Sequence, residues 1–324
     1  MSKCPEITVI MPVYNVEKYL RASLDSVLGQ SFKDFKLICI NDAGTDGSWD
    51  IAREYAAADA RIKLMEHEKN EGISATRNTG LGVVSGGYVM FVDSDDTIHP
   101  QVLEIALYFA KKHNADIVGW RMKYLWEPGD KISVVAYDNF DDIPIELTDN
   151  PVWKWGQGSL NSSCNKLWRR SVIGHARFIP GIRYEDSPFV LEILYKNPKT
   201  VILNAPLYNY VCYNSASFTR ERFCEKNFSD YNKVFRAIYD VWKDAPGTET
   251  RFITDHLFKE SKNFLRAIRR RKYPESIKRA FANMIADIDG VGWLKMPKDL
   301  HKLDKIKHLI RLKYYIRKYA DRRE

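Results

Sequence analysis

The chain has 324 residues, of which 45% are hydrophobic, 13% aromatic and 28% charged, with a formal net charge of +8. Those proportions exclude a disordered, collagenous or disulfide-stapled chain and predict a soluble globular protein long enough for two structural units. No stretch reaches the roughly 18 to 20 continuous apolar residues of a membrane span, and Met1 to Glu6 lack the apolar core of a leader peptide, so a cytoplasmic protein is expected.

Four β-α repeats are expected at the start of the chain. Ile7 to Met11 is a buried-strand run that Pro12 should end. Leu20, Leu24, Val27 and Leu28 follow helical spacing, so an amphipathic helix comes next. Phe35 to Ile40 is the second strand, and Ser48 is placed to cap a helix reaching about Ala58. Ile62 to Met65, Ile73 to Val83 and Tyr88 to Val92 complete the alternation as strand, helix and strand. From about Ala115 to Pro206 the pattern breaks into short strands, many aromatics and Gly-Pro punctuation. From about Phe223 onward it turns helical and basic.

Charge follows the same division. The net formal charge is −5 over residues 1–100, +2 over 101–220 and +11 over 221–324. An acidic N-terminal part suits a metal site, and a basic end suits an anionic surface. The five cysteines (Cys4, Cys39, Cys164, Cys212, Cys224) form no C-x-x-C pair, and no H-E-x-x-H pair occurs. Reduced thiols are expected, and any metal would need oxygen ligands.

In a parallel α/β sheet, ligands gather outside the carboxyl ends of the strands. Three polar clusters fall at such ends: Pro12 to Asn15, Asn41 to Ser48, and Asp93 to Asp96. Asp93, Asp95 and Asp96 crowd three carboxylates after a buried strand, which suits Mn²⁺ or Mg²⁺; the alternative is a solvated turn in which Asp96 or Thr97 caps a helix. Asp42 is either an acceptor for a nucleobase or ribose or a turn former. Arg77 has a donor fork suited to phosphate, or to a surface ion pair. Glu185 and Asp186 supply either a general base with its neighbour or a charge effect at a helix start. Trp153, Trp155 and Trp168 suit sugar stacking or a core.

These motifs, in order, resemble those of family 2 glycosyltransferases with the GT-A fold. The resemblance is carried by Thr8 to Asn15, Ser31 to Phe35, Asn41 to Ser48, Gly72 with Ala75 to Gly80, and Phe91 to Asp96. Asn165-Lys166-Leu167-Trp168-Arg169-Arg170 and Tyr184 to Phe189 resemble later motifs of bacterial surface-polysaccharide members. It implies an α/β fold with a mostly parallel central sheet over 1–220, a nucleotide-binding half at about 1–115 and an acceptor half at about 116–220; the helical pattern and basic charge of 221–324 make that stretch a basic helical C-terminal region. It also implies an inverting, metal-assisted transfer from a nucleotide-sugar, most often a UDP-sugar, to a hydroxyl of a glycan or lipid-linked glycan. The carry-over makes Pro12, Tyr14 and Asp42 hold the base, Arg77 contact the nucleotide, Asp95 bind Mn²⁺ or Mg²⁺, and Asp93 bind the ribose or metal. Asp186 becomes the general base, with Glu185 beside it. Asn41, Ala43 and Gly44 depart from the usual Asp-Asp-Gly-Ser run, which leaves the identity of the base open.

Beyond the resemblance, residues 301–319 carry Leu303, Ile306, Ile310 and Tyr314 on one stripe among seven lysines and arginines. A basic amphipathic helix of this kind is expected to lie on the anionic inner face of the cell membrane, or to pack on the protein; nucleic acid is not expected as a partner. Two other functions compete with glycosyl transfer. A nucleotidyltransferase would carry a Gly-rich, basic phosphate loop where this chain has Pro12-Val13-Tyr14-Asn15, and a non-catalytic sugar-binding module would have no need of the acids.

Overall fold

The structure is a computed structural model describing residues 4–132, 136–148, 162–214, 224–242, 265–266, 273–290, 312–313 and 317. The Trp153 and Trp155 positions and nearly all of residues 301–319, expected to form a helix, lie outside the described residues. The chain divides into two compact units, one comprising 1–181 with 185–217, the other 182–184 with 218–324.

The first unit opens with the expected repeats: β1 (Ile7–Val13), α1 (Glu17–Leu28), β2 (Phe35–Asn41), α2 (Ser48–Ala58), β3 (Ile62–Glu66), α3 (Ile73–Gly82) and β4 (Tyr88–Phe91). β1 is buried along its whole length, as a strand covered on both faces must be. Strand β1 does not stop at Pro12. It continues to Val13, pairing with Asn41 of β2. The Val92 N–H reaches the Ile10 carbonyl, so Pro12, two residues on, faces the same side, where the β4 pairing has already ended at Ile10–Phe91. The donor that proline lacks has no ladder to serve there. Ser48 is likewise not the expected cap. It is the first helical residue of α2; its N–H and hydroxyl both donate to Asp46, and its oxygen accepts the Val16 N–H.

The chain then forms β5 (Thr97–Ile98), α4 (Val102–Lys112), β6 (Ile117–Leu125), β7 (Ile145–Thr148), β8 (Lys166–Arg169), the single turn α5 (Arg170–Ile173), α6 (Asp186–Leu194) and β9 (Thr200–Val211). The described strands make one mixed sheet in the order β3-β2-β1-β4-β8-β6-β9-β5, with β7 against β9. The four strands β3, β2, β1 and β4 are parallel; β8 enters antiparallel between β4 and β6, and β6 and β9 are again parallel over nine paired residues.

Two glycines fix helix α3. Gly72, at its start, has φ +87°, a left-handed conformation that costs other residues about 1 to 2 kcal/mol. Gly80 faces β1 so closely that an added Cβ would lie 2.6 Å from Ile10 Cγ2. Beneath the carboxyl end of β4, Phe91 meets Phe178 and Phe189 edge-on, and those two rings stack at 3.9 Å. Trp168, fully buried, closes this cluster against Phe189. Its expected alternative, a sugar platform, is therefore not available to it.

In the second unit, α7 (Glu225–Trp242) and α8 (Glu275–Gly290) meet through Phe228 and Phe281. The short segment 182–184 belongs here. Asp230 accepts the Arg183 N–H, Asn227 Nδ2 donates to the Tyr184 hydroxyl, and the Tyr184 ring lies 4.1 Å from that of Tyr231. Among the described residues no helix is long and apolar enough to cross a membrane.

Candidate functional site

Each candidate comes from the carboxyl end of a strand or the loop that follows it. After β1, Pro12 is buried, while the Tyr14 ring is 45% exposed at the mouth of the strand ends. After β2, the loop is braced by side-chain acceptors: Asn15 Oδ1 takes the Thr45 N–H at 2.8 Å and Asn41 Oδ1 takes the Gly44 N–H at 3.0 Å. This bracing holds Ala43 at φ +54°.

Asp42 is buried, and its carboxylate is occupied by the protein's own groups. Oδ1 accepts from His67 Nδ1 at 2.8 Å and from the Glu71 N–H at 2.9 Å; Oδ2 accepts the Gly72 N–H at 2.8 Å. His67 also reaches Thr79 Oγ1 at 2.9 Å. The residue expected to meet a nucleobase thus anchors the loop that leads into α3.

Arg77, one turn further along α3, is 1% exposed. Its Nη1 donates to Glu185 Oε1 at 2.8 Å and to Asp186 Oδ1 at 2.9 Å, and its Nη2 donates to Asp93 Oδ1 at 2.8 Å. The guanidinium carbon sits 5.1 Å from the centre of the Phe178 ring. Burial alone would favour its neutral form; Asp186, Asp93 and Glu185 more than offset that, so its pKa lies well above the usual arginine value. Both terminal nitrogens are taken up by carboxylates. One cation holds three acids drawn from the loop after β4 and the start of α6.

The acids differ in what surrounds them. Burial, then repulsion from Asp186, pushes Glu185 up to about 7 against the pull of Arg77. Asp186 is the first residue of α6 and keeps 22% of its side chain exposed, compared with 6% for Glu185. Asp186 also sits where a helix start favours negative charge, which fits the charge reading of this acid pair. Asp95 accepts from Asn214 Nδ2 at 2.8 Å through Oδ2 alone, and burial followed by the nearby Asp93 raises its pKa. Asp96 is structural. Its two oxygens accept the Tyr208 hydroxyl at 2.8 Å and the Val211 N–H at 2.7 Å, and burial raises its pKa well above the ordinary value. It does not cap a helix, because the chain goes on into β5.

Sequence reasoning missed two contributors, Ser163 and Cys164. Ser163 Oγ donates to Asp186 Oδ1 at 2.7 Å, and the Cys164 thiol donates to Asp93 Oδ2 at 3.3 Å. Burial, then Asp93, pushes that thiol well above its usual range, so it stays protonated and able to donate. The available signal was position: both immediately precede Asn165-Lys166-Leu167-Trp168, one of the runs that carries the resemblance. Lys166 is also wholly buried, and its ammonium is lowered to about 7 by burial, with Asp186 opposing.

As to metal, no group of three or more His, Cys, Asp or Glu is arranged to hold an ion among the described residues. The donor set nevertheless suits one. Among the described residues Asp95 Oδ1 accepts no hydrogen bond from another residue, and Mn²⁺ or Mg²⁺ commonly takes one or two carboxylates and completes its shell with phosphate and water.

A family model, Glycosyl transferase family 2, matches residues 8–175. Glycosyltransferase GlyA of Streptococcus pneumoniae is 37% identical over 214 residues, which cover 63% of this chain but 30% of that protein. The uncharacterized glycosyltransferase EpsJ of Bacillus subtilis is 32% identical over 64% of this chain and 61% of its own length. The chain thus spans less than two thirds of either relative. Among solved structures, S. aureus TarS 1-349 in complex with UDP-GlcNAc superposes with a TM-score of 0.71 at 20% identity, covering 97% of this chain and 91% of that one. The mannosyltransferase PcManGT from Pyrobaculum calidifontis, in complex with GDP-Man and Mn2+, gives 0.53 at 14% identity over 98% and 84% of the two chains. With the ordered motifs, the strand order and the match over residues 8–175 in agreement, the chain has the GT-A fold and belongs to glycosyl transferase family 2.

Proposed function

We propose that the chain transfers a sugar, with inversion, from a UDP-sugar to a hydroxyl of a bacterial surface glycan such as a lipooligosaccharide, capsule or exopolysaccharide, with Asp186 as general base. The observation that carries this reading is the Arg77 clamp, which draws Asp93 and Asp186 onto one guanidinium although they lie far apart in sequence. Asp186 is the better base of the acid pair because it is the more exposed; Glu185 is held inside against Arg77. UDP-GlcNAc in the TarS complex supports a uridine diphosphate donor, and the exposed Tyr14 ring is a surface on which a base can stack.

In this mechanism the acceptor hydroxyl attacks the anomeric carbon from the face opposite the diphosphate, and Asp186 takes its proton. The bond to the diphosphate breaks, and its electron pair leaves with the phosphate oxygen. Asp95, with Asp93 beside it, would hold Mn²⁺ or Mg²⁺, which when bound supplies positive charge to the leaving diphosphate. Asp42 acts one step back, by fixing the loop 67–72 and the start of α3. We assign donor binding to the half before residue 115 and acceptor binding to 116–220.

The test is UDP release from a panel of UDP-sugars with Mn²⁺ and a glycan acceptor. Asp186→Asn should lower turnover by about 10² to 10⁴ while UDP still binds. Release of pyrophosphate, or near wild-type turnover by that variant, would defeat the reading.

A further inference from the structure

The two oxygens of Asp186 are not equivalent. Oδ1 accepts two hydrogen bonds, from Arg77 Nη1 at 2.9 Å and Ser163 Oγ at 2.7 Å; Oδ2 receives none from the described residues. Ser163 is completely buried, so its hydroxyl cannot turn to water for a partner. Its backbone is fixed as well. The Trp168 indole N–H holds the Ser163 carbonyl at 3.1 Å, the Cys164 N–H is bound by Ser162 Oγ at 3.2 Å, and Asn165 is tied to Trp120 through both its backbone carbonyl and its side-chain amide. The next residue, Cys164, directs its thiol to Asp93 Oδ2. One rigid step of chain before β8 thus supplies a donor to two of the three carboxylates that Arg77 holds.

Resting on the reading of Asp186 as the base, we propose that Ser163 is a positioning residue that, together with Arg77, saturates Oδ1 and so assigns proton acceptance to Oδ2. Arg77 alone leaves the carboxylate free to rotate about its contact, because a single hydrogen bond fixes a point and not a plane. A second donor on the same oxygen, approaching from the segment before β8, fixes the plane and leaves the lone pairs of Oδ2 to take the proton. The acceptor O–H proton then passes to Oδ2 as the new C–O bond forms, and the bond to the diphosphate breaks with its electrons going to the leaving group. Misplacement by about an ångström costs on the order of 10²-fold in such a step, whereas substrate affinity is set elsewhere.

The test compares Ser163→Cys and Ser163→Ala with wild type, in steady-state turnover with saturating UDP-sugar and acceptor and in UDP titration calorimetry. A thiol is a weaker donor and a methyl is none, so kcat should fall in the order Ser, Cys, Ala, reaching about 10- to 100-fold for Ala. KM for the donor and the UDP affinity should stay within about twofold. In an Asp186→Asn background, Ser163→Ala should add less than a threefold further loss, because its action passes through that carboxylate. Equal kcat in wild type and the Ala variant, or a full additional loss in the Asp186→Asn background, overturns the proposal. If Ala does not fold, the Ser-to-Cys ratio decides instead: equal turnover overturns the assignment, and a drop at constant UDP affinity upholds it. A dead Asp186→Asn beside an unimpaired Ser163→Ala removes only the positioning role, whereas an active Asp186→Asn removes the base reading on which it rests.

Discussion

Two acidic regions lie along the same edge of the sheet and are built in opposite ways. Around Asp42, each carboxylate oxygen is met by N–H donors from the loop that it organises. Around Arg77, three carboxylates converge on one cation, and a fourth, Asp95, stands near with one oxygen that no other described residue meets. The first region is closed and serves the fold. The second carries more negative charge than its one guanidinium cancels, an arrangement that favours a cationic or hydrogen-donating ligand and that burial alone would not select.

Removing the centre of each region should expose that difference. Arg77→Ala leaves three acids facing one another in a buried pocket and should cost about 3 to 5 kcal/mol, read as a large drop in urea midpoint. Lowering the pH should restore part of that loss, because protonation relieves the repulsion. A variant as stable as wild type at pH 7 would mean that the acids do not depend on the cation. Asp42→Ala should cost less, about 2 kcal/mol, since it strands backbone and imidazole donors without unpairing a charge cluster. It should also weaken UDP binding, because the loop before α3 loosens; unchanged affinity would separate Asp42 from the donor site.

The smallest effect concerns Glu185, whose carboxyl is pushed up from the ordinary value to about 7 by burial and then by Asp186. A carboxyl whose folded pKa exceeds its unfolded one contributes stability at low pH and loses it as pH rises through the folded value. The Glu185→Gln variant, which does not titrate there, should therefore gain on wild type in thermal midpoint between about pH 4.5 and 7. The difference between the two should then hold constant above pH 8. A pH-independent difference would show that burial does not hold this carboxyl protonated.

Much of the fold was legible because the first half of the chain uses periodicities that only strands and helices satisfy. Ile7 to Met11 is broken only by Thr8 and Tyr88 to Val92 is wholly apolar or aromatic, and Leu20, Leu24 and Val27 repeat at helical spacing. The errors came where a local rule was decided by a neighbour. Pro12 stays in its strand because the adjacent strand has already ended, and Ser48 is not a cap because Asp46 takes its N–H. At the site, the acids could be picked out from their clustering after buried strands, but their partners could not. Ser163 meets an Asp 23 positions away and Cys164 one 71 positions away, and nothing in a serine-cysteine pair announces either contact. Arg77 shows the same limit: a lone helical arginine reads as a surface ion pair until the fold buries it against three acids.

Gly80 gives the tight seam between α3 and β1 a further meaning. The missing methyl sets how deep the helix rides on the sheet, and Arg77 is carried on that same helix three residues earlier. A side chain at position 80 would lift the helix like a shim, and the guanidinium would rise with it, away from acids that are fixed to other elements. The gap under one glycine thus works as the depth gauge of the charge cluster, from a place that touches no substrate.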